Sequence, residues 1–232
     1  MFFPDAQVDR TALFLQWFDR WLKDGKTLPG DPVHYYVMHA GEWRSGAEIP
    51  EGQSEKTFYL DSAGLLSGKS PEQASSIRVE HDPDHPVPTS GGNILMSGFP
   101  AGSFDQQEVQ ARSDVLVYTS APLQENWEML GTVQAHLWMN TSRPDLPIGL
   151  RISEVKPDGT SWNVVDTVEA AGKRIIDIGR TAYRFSAGGR LRVEIYLSSF
   201  PRIESWRDRI WGEVNGDSQL RITAGGPPVF QD

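Results

Sequence analysis

The stretch Leu150–Val168, "LRISEVKPDGTSWNVVDTV", reads as two strands around one turn. "LRISEV" and "WNVVDTV" have strand composition, and Pro157-Asp158-Gly159 stands between them. Proline presets φ at the start of such a turn, and glycine accepts positive φ at its end. Outward from this hairpin the period stays at two. Strands are predicted over Val33–Met38, Thr57–Leu60, Ile77–Glu80, Val115–Thr119, Met129–Met139, Ile148–Val155, Trp162–Val168, Arg174–Ile178, Arg190–Leu197 and Gln219–Ile222. Turn clusters such as Ala187-Gly188-Gly189 separate many of them. Short strands without alternating helices predict an all-β jelly-roll sandwich, not a parallel α/β sheet. Residues 62–112 differ, being rich in Gly, Pro, Ser and polar types with one short strand predicted. They read as long ordered excursions over one edge of the sandwich, and such loops often carry function.

One segment breaks the pattern. "LFLQWFDRWLKDG", Leu13–Gly25, covers the later part and the end of a predicted helix from Val8 to Lys23. Leu13, Phe14, Trp17, Phe18, Trp21 and Leu22 share one face of it, and Gly25 and Pro29 stop it. That aromatic face needs something to lean on.

Composition narrows the function classes. A chain of 232 residues can bury a sizeable core. Lys+Arg 22 against Asp+Glu 31 gives a formal charge of −9, with the basic residues scattered, which argues against nucleic acid as a partner. With Cys 0 there is no disulfide framework, thiol nucleophile or thiolate metal site. The start "MFFPDAQVDR" has neither the basic nor the apolar region of a signal peptide. No stretch has the apolar length of a membrane span, so no membrane partner is expected. A soluble chain follows, with a slight lean to the cytoplasm and the compartment otherwise open.

The search for chemistry finds little. An α/β-hydrolase nucleophile would sit in G-x-S-x-G at a strand-to-helix elbow, and no such pentapeptide occurs. "HDPDHP", His81–Pro86, holds metal-ligand types, but Pro83 opposes the helix that would converge the two histidines. A surface loop with Asx turns explains the same residues, so no metal and no cofactor are expected. The many Asp and Glu read as solvated faces, since nothing selects a catalytic pair. Trp138 and Trp162 fall inside strand patterns and read as core; Trp206 and Trp211 lie in a less regular segment.

Taken in order, several motifs resemble one family. They are "LFLQWFDRWLKDG", "VHYYVMHAGEWR", "HDPDHPVPTSGGNILM", "RSDVLVYTSAPLQENWEMLGTVQAHLWM", "PDGTSWNVVD" and "AGGRLRVEIYLSSFPR". The set, from Ala12 to Arg202, resembles the C-terminal part of the cocaine esterase and X-Pro dipeptidyl peptidase family, which includes α-amino acid ester hydrolases and glutaryl acylases. The resemblance implies a galactose-binding-like jelly roll over residues 29–232, with residues 1–28 a tether helix belonging to a hydrolase domain. It implies that the serine, acid and histidine lie upstream in an α/β-hydrolase domain, so this chain alone is expected to be inactive, with no catalytic residue of its own. Phe14, Trp17, Phe18 and Trp21 would then face that domain as its partner. In the family's cocaine esterase, a Leu-Phe pair just after the Gly-Gly of the loop lines the acyl pocket; the matching positions here are Leu95 and Met96. A homo-oligomer is a further expected partner.

Alternatives stay open at this point. The helix could pack wholly on its own sandwich, and Leu95 and Met96 could be ordinary strand-edge packing. The chain could be a free-standing carbohydrate- or ligand-binding module, or a structural domain. Departures are visible too: Gly189 replaces the family's usual His, "TVEAAGKRII" is short for its place, and "IESWRDRIWGEV" follows Arg202 where another pattern is usual.

Overall fold

The computed structural model describes residues 3–24, 30–72, 75–170 and 174–231. A 3-10 turn at Pro4–Ala6 leads to α1 (Arg10–Asp19), which continues into a π-helical turn at Arg20–Asp24. The helix begins after Asp9, not at Val8, because the Asp9 carboxylate accepts the Ala12 N–H at 3.0 Å and so caps it. The strands follow in chain order: β1 (Val33–Val37), β2 (Glu42–Gly46), β3 (Ser54–Leu60), β4 (Leu66–Ser67) and β5 (Ser76–His81). After α2 (Gln107–Gln110) come β6 (Val115–Thr119), β7 (Trp127–His136), β8 (Met139–Thr141), β9 (Pro147–Val155) and β10 (Ser161–Ala170). The last four are β11 (Ile175–Phe185), β12 (Arg190–Tyr196), β13 (Ile210–Asn215) and β14 (Gln219–Ala224).

Two larger antiparallel sheets make the sandwich, one ordered β10-β9-β12-β6 and the other β11-β7-β14-β3-β4. Between them lies one core that includes Phe58, Met129, Ile148, Leu150, Ile152, Phe185, Val193 and Ile195. A third sheet, β5-β13-β8, adds Val79, Ile210 and Val214 to the same core, and β1-β2 forms a separate hairpin. Each such fully buried side chain contributes about 1.5–3 kcal/mol relative to exposure. The all-β sandwich expected from the sequence is what forms.

The predicted hairpin at Pro157-Asp158-Gly159 joins β9 and β10. Gly159 has φ 90 and donates to the Lys156 carbonyl at 2.8 Å, while Asp158 accepts from the Thr160 N–H at 2.9 Å. Elsewhere the boundaries move. β11 runs to Phe185, and β2, β4 and β13 fall outside the predicted strands. The long strand predicted over Met129–Met139 breaks after His136, where the chain leaves one sheet for another. Leu137 turns inward there and Trp138 outward, so Trp138 is exposed instead of buried, and Trp162 is only half-buried. Residues 62–112 cross a sheet face and not merely an edge. The expected boundary between residues 28 and 29 lies outside the described residues.

Candidate functional site

β9 is buried on both sides. Ile148, Leu150 and Ile152 enter the core, while Arg151 and Ser153 point to the outer face of their sheet. Alternation alone would leave that outer face wet. Here the segment between β5 and β6 covers it: its Val87 and Val109 cluster with Val115 of β6 and Tyr196 of β12. Beneath this cover Arg151 donates to Glu194 at 2.8 Å, Ser153 donates to the same carboxylate at 2.7 Å, and Gln110 of α2 donates to it at 2.7 Å. Glu194, Glu154 and Asp166 are all buried, against the expectation that the chain's carboxylates are solvated. Glu154 is held from the other side by the Tyr183 hydroxyl and the Ser186 N–H, each at 2.7 Å.

From this cover projects a finger, residues 91–102. Its root is closed by Gly92 and Gly102, which exchange N–H···O bonds of 2.7 and 3.0 Å. Gly91 and Gly92 have φ 64 and 78, and a Cβ on Gly92 would collide with the Asp166 carboxylate. Only glycine fits both demands. Ile94 is buried as an anchor, and beyond it Leu95 is 98% exposed, with Met96 and Phe99 also exposed and bridged across the tip. The structure therefore separates Leu95 and Met96 from the core: neither is strand-edge packing. Phe99, which sequence reading passed over, joins them. Its signal was there, three apolar residues in a Gly-rich loop, but without a partner strand nothing marks which are wet.

The helix stripe is also uncovered. Phe14, Trp17, Phe18 and Trp21 are 52–62% exposed, and Leu13, Leu15 and Leu22 are exposed with them. The alternative of a helix packed wholly on its own sandwich does not hold. What fixes the helix to the domain is the segment before it. The Trp43 indole N–H of β2 donates to the Asp5 carbonyl at 2.8 Å, and Phe3 packs edge-on against Tyr36 of β1.

Phe3 and the finger root meet at one cleft of about 520 Å³. Gly92, Asn93, Gly102 and Ser103 line it together with Val165, Ile178, Met38 and Phe3. The segment that launches α1 and the loop that carries Leu95 and Met96 thus border the same opening. Its lining is mostly apolar, with Asp166 and Arg180 at hand but engaged: Asp166 with Arg202, Arg180 with Glu51.

The remaining candidates resolve as follows. In "HDPDHP", Asp82 makes an Asx turn by accepting the Asp84 N–H at 3.1 Å and pairs with exposed His85, whereas His81 is buried and bonds the Trp206 carbonyl at 3.0 Å. Among the described residues no group of three or more His, Asp and Glu is placed to hold a metal ion. Arg143 stacks over Trp206 at 4.2 Å and Arg78 over Trp211 at 4.4 Å, so both indoles carry a guanidinium. No described helix is long and apolar enough to cross a membrane.

Comparison with known proteins gives a consistent match. Residues 28–208 match the family described as the X-Pro dipeptidyl-peptidase C-terminal non-catalytic domain. A cocaine esterase of Rhodococcus sp. (strain MB1 Bresler) is 29% identical over 242 residues, covering 91% of this chain and 42% of the relative. Two solved structures share the fold at 20% identity. An aminopeptidase from a marine sediment archaeon, Thaumarchaeota archaeon, aligns with TM-score 0.78 over 93% of this chain and 44% of its own. An α-amino acid ester hydrolase aligns with TM-score 0.76 over 90% and 43%. The chain spans less than half the length of each of these relatives.

Proposed function

The chain belongs to the X-Pro dipeptidyl-peptidase C-terminal non-catalytic domain family, and we propose that it braces an α/β-hydrolase catalytic domain and shapes that enzyme's substrate entrance. Residues 1–28 act as the tether and residues 29–232 as the accessory sandwich. α1 lies against the hydrolase domain through Phe14, Trp17, Phe18 and Trp21, and Leu95 and Met96 form an apolar wall of the acyl pocket. The parent reaction is acyl transfer from an ester or amide to water, in which a serine of the hydrolase domain attacks the carbonyl and its histidine acts as base.

One observation carries this reading: an aromatic helix face and an apolar loop tip, both uncovered, rise from the borders of one cleft. Isolated soluble domains seldom leave apolar patches of that size wet, so a partner surface is the physical expectation. Of the indoles a rival carbohydrate-binding module could use as platforms, Trp206 and Trp211 each have an arginine stacked over the ring.

The test is hydrogen exchange on this chain assembled with a family hydrolase domain, fused or mixed. Protection is expected over residues 10–22 and 94–99. Protection confined to the β5-β13-β8 sheet, with α1 and the finger unchanged, would overturn the reading. Methionine at 96 is unbranched and adaptable, so Met96→Phe is expected to narrow the range of acyl groups accepted without lowering the melting temperature.

A further inference from the structure

We propose that Asp166 and Asn163 are positioning residues for the finger, brought to act together by a bulge in β10; the proposal rests on the reading of the finger as a pocket wall. Side chains alternate along a strand, so residues three apart ordinarily point to opposite faces. In β10 the register against β9 shifts between Asn163 and Val165. Asn163 pairs with Ser153 and Asp166 with Arg151, and both of those lie on the covered outer face. The extra residue therefore returns Asp166 to the face that Asn163 already occupies, which is the re-aiming that bulges perform.

Each of the two then grips one limb of the finger. Asp166 accepts the Asn93 N–H at 3.3 Å on the incoming limb, and its side chain is 5% exposed. Its other oxygen is bound by Arg202, so the carboxylate is held from behind while it holds the loop. On the outgoing limb the Asn163 carbonyl oxygen accepts the Phe104 N–H at 2.7 Å, and its amide donates to the Gly102 carbonyl at 3.1 Å. Ser103 donates to the Asn163 backbone carbonyl at 2.7 Å. Gln106, fully buried, locks the Asn163 oxygen with a further bond of 3.1 Å. The tip residues Leu95, Met96 and Phe99 make no comparable polar anchor of their own among the bonds described, so their position is inherited from this root and from the buried Ile94 beside it. A shift of the root moves the wall; nothing at the tip corrects it.

Because the chain has no cysteine, Ser97→Cys offers a single attachment point for a nitroxide at the tip. The electron paramagnetic resonance spectrum of the labelled chain is expected to show an immobilised component. Asp166→Ala and Asn163→Ala are each expected to abolish that component at temperatures well below melting. A wild-type spectrum that is wholly mobile would overturn the proposal. So would an unchanged spectrum in both variants, even with a lowered melting temperature, since that assigns the two residues to stability alone. If Asp166→Ala fails to fold, Asn163→Ala decides the matter on the same readout. Ester selectivity is measured separately, on the chain assembled with a hydrolase domain. A mobilised finger with unchanged selectivity would sink the pocket-wall reading while leaving the positioning role intact.

Discussion

Glu128 of β7 joins three elements with one carboxylate. Arg44 of β2 reaches both of its oxygens at 2.8 Å, and Arg184 of β11 adds bonds of 2.9 and 2.6 Å. These arginines, Arg44 foremost, hold its carboxyl below the usual value of 4.5. A depressed folded-state value means the stabilisation is complete above pH 4.5 and is lost as pH falls through the lower folded value. Urea unfolding across that acid range is expected to show a steeper decline in wild type than in Glu128→Gln. At neutral pH the same substitution should cost about 2 kcal/mol, as for hydrogen bonds to a charged group that is partly screened by solvent. The alkaline limb belongs to tyrosines. Burial pushes the Tyr196 phenol up to about 12, and burial also raises Tyr118 and Tyr183 above their usual 10. The phenols stay protonated in the fold, so the stability they confer is present below pH 10 and is lost as pH climbs above it, toward about 12 for Tyr196 and beyond for the other two. In a phenolate-absorbance titration these three should ionise only as the protein unfolds. Early ionisation of all six tyrosines, with the fold intact, would contradict their burial.

At the scale of elements, the outer face of β9 and β12 is where charge is buried and where sequence reading stopped. Arg151 and Glu194 sit directly opposite in the register, at 2% and 0% side-chain exposure. Removing one partner leaves an uncompensated charge in the interior, so Glu194→Leu or Arg151→Met alone should cost about 3–5 kcal/mol. The double replacement Arg151→Met with Glu194→Leu should recover much of that loss, since well-packed apolar pairs can match buried ion pairs. Equilibrium unfolding of the two singles and the double measures the coupling, and additive losses would mean the pair acts as two separate hydrogen-bonding groups. In the sequence the strand itself was legible, because "LRISEV" has period two and ends in a turn. Its cover was not, since the segment that shields Arg151 lies some 40 residues upstream and has no period of its own. Nor was the β10 bulge legible: "NVVD" looks the same whether Asp166 faces the core or the cover. The helix was legible from its apolar spacing, yet that spacing does not say which neighbour the apolar residues meet.

For the whole molecule, the unresolved demand is where the apolar surface of α1 goes. The sandwich closes its own core without that helix; its large buried residues all come from the strands, the segment between β5 and β6, or the turns between strands. The helix is instead attached by its leading segment, through the Asp5–Trp43 bond and the Phe3–Tyr36 contact. Two consequences separate cleanly. Substitutions on the stripe should leave folding stability nearly unchanged, because exposed side chains contribute little to burial; Trp21→Glu should shift the melting temperature by no more than the scatter of ordinary surface changes, within about 0.5 kcal/mol. The same substitution should reduce association, because the wet patch is what drives it. Wild type is therefore expected to bind an environment-sensitive hydrophobic dye and to sediment as a concentration-dependent oligomer, while Trp21→Glu and Phe14→Glu bind less dye and shift toward monomer. Trp43→Phe supplies the internal contrast: it removes the indole donor to Asp5 without altering the stripe, so it should loosen the helix and leave dye binding in place. A wild-type chain that stays monomeric at high concentration and binds no dye, or a Trp21→Glu variant that unfolds, would mean that the stripe is covered from within the chain. In that case the helix would have no free apolar surface with which to meet a hydrolase domain.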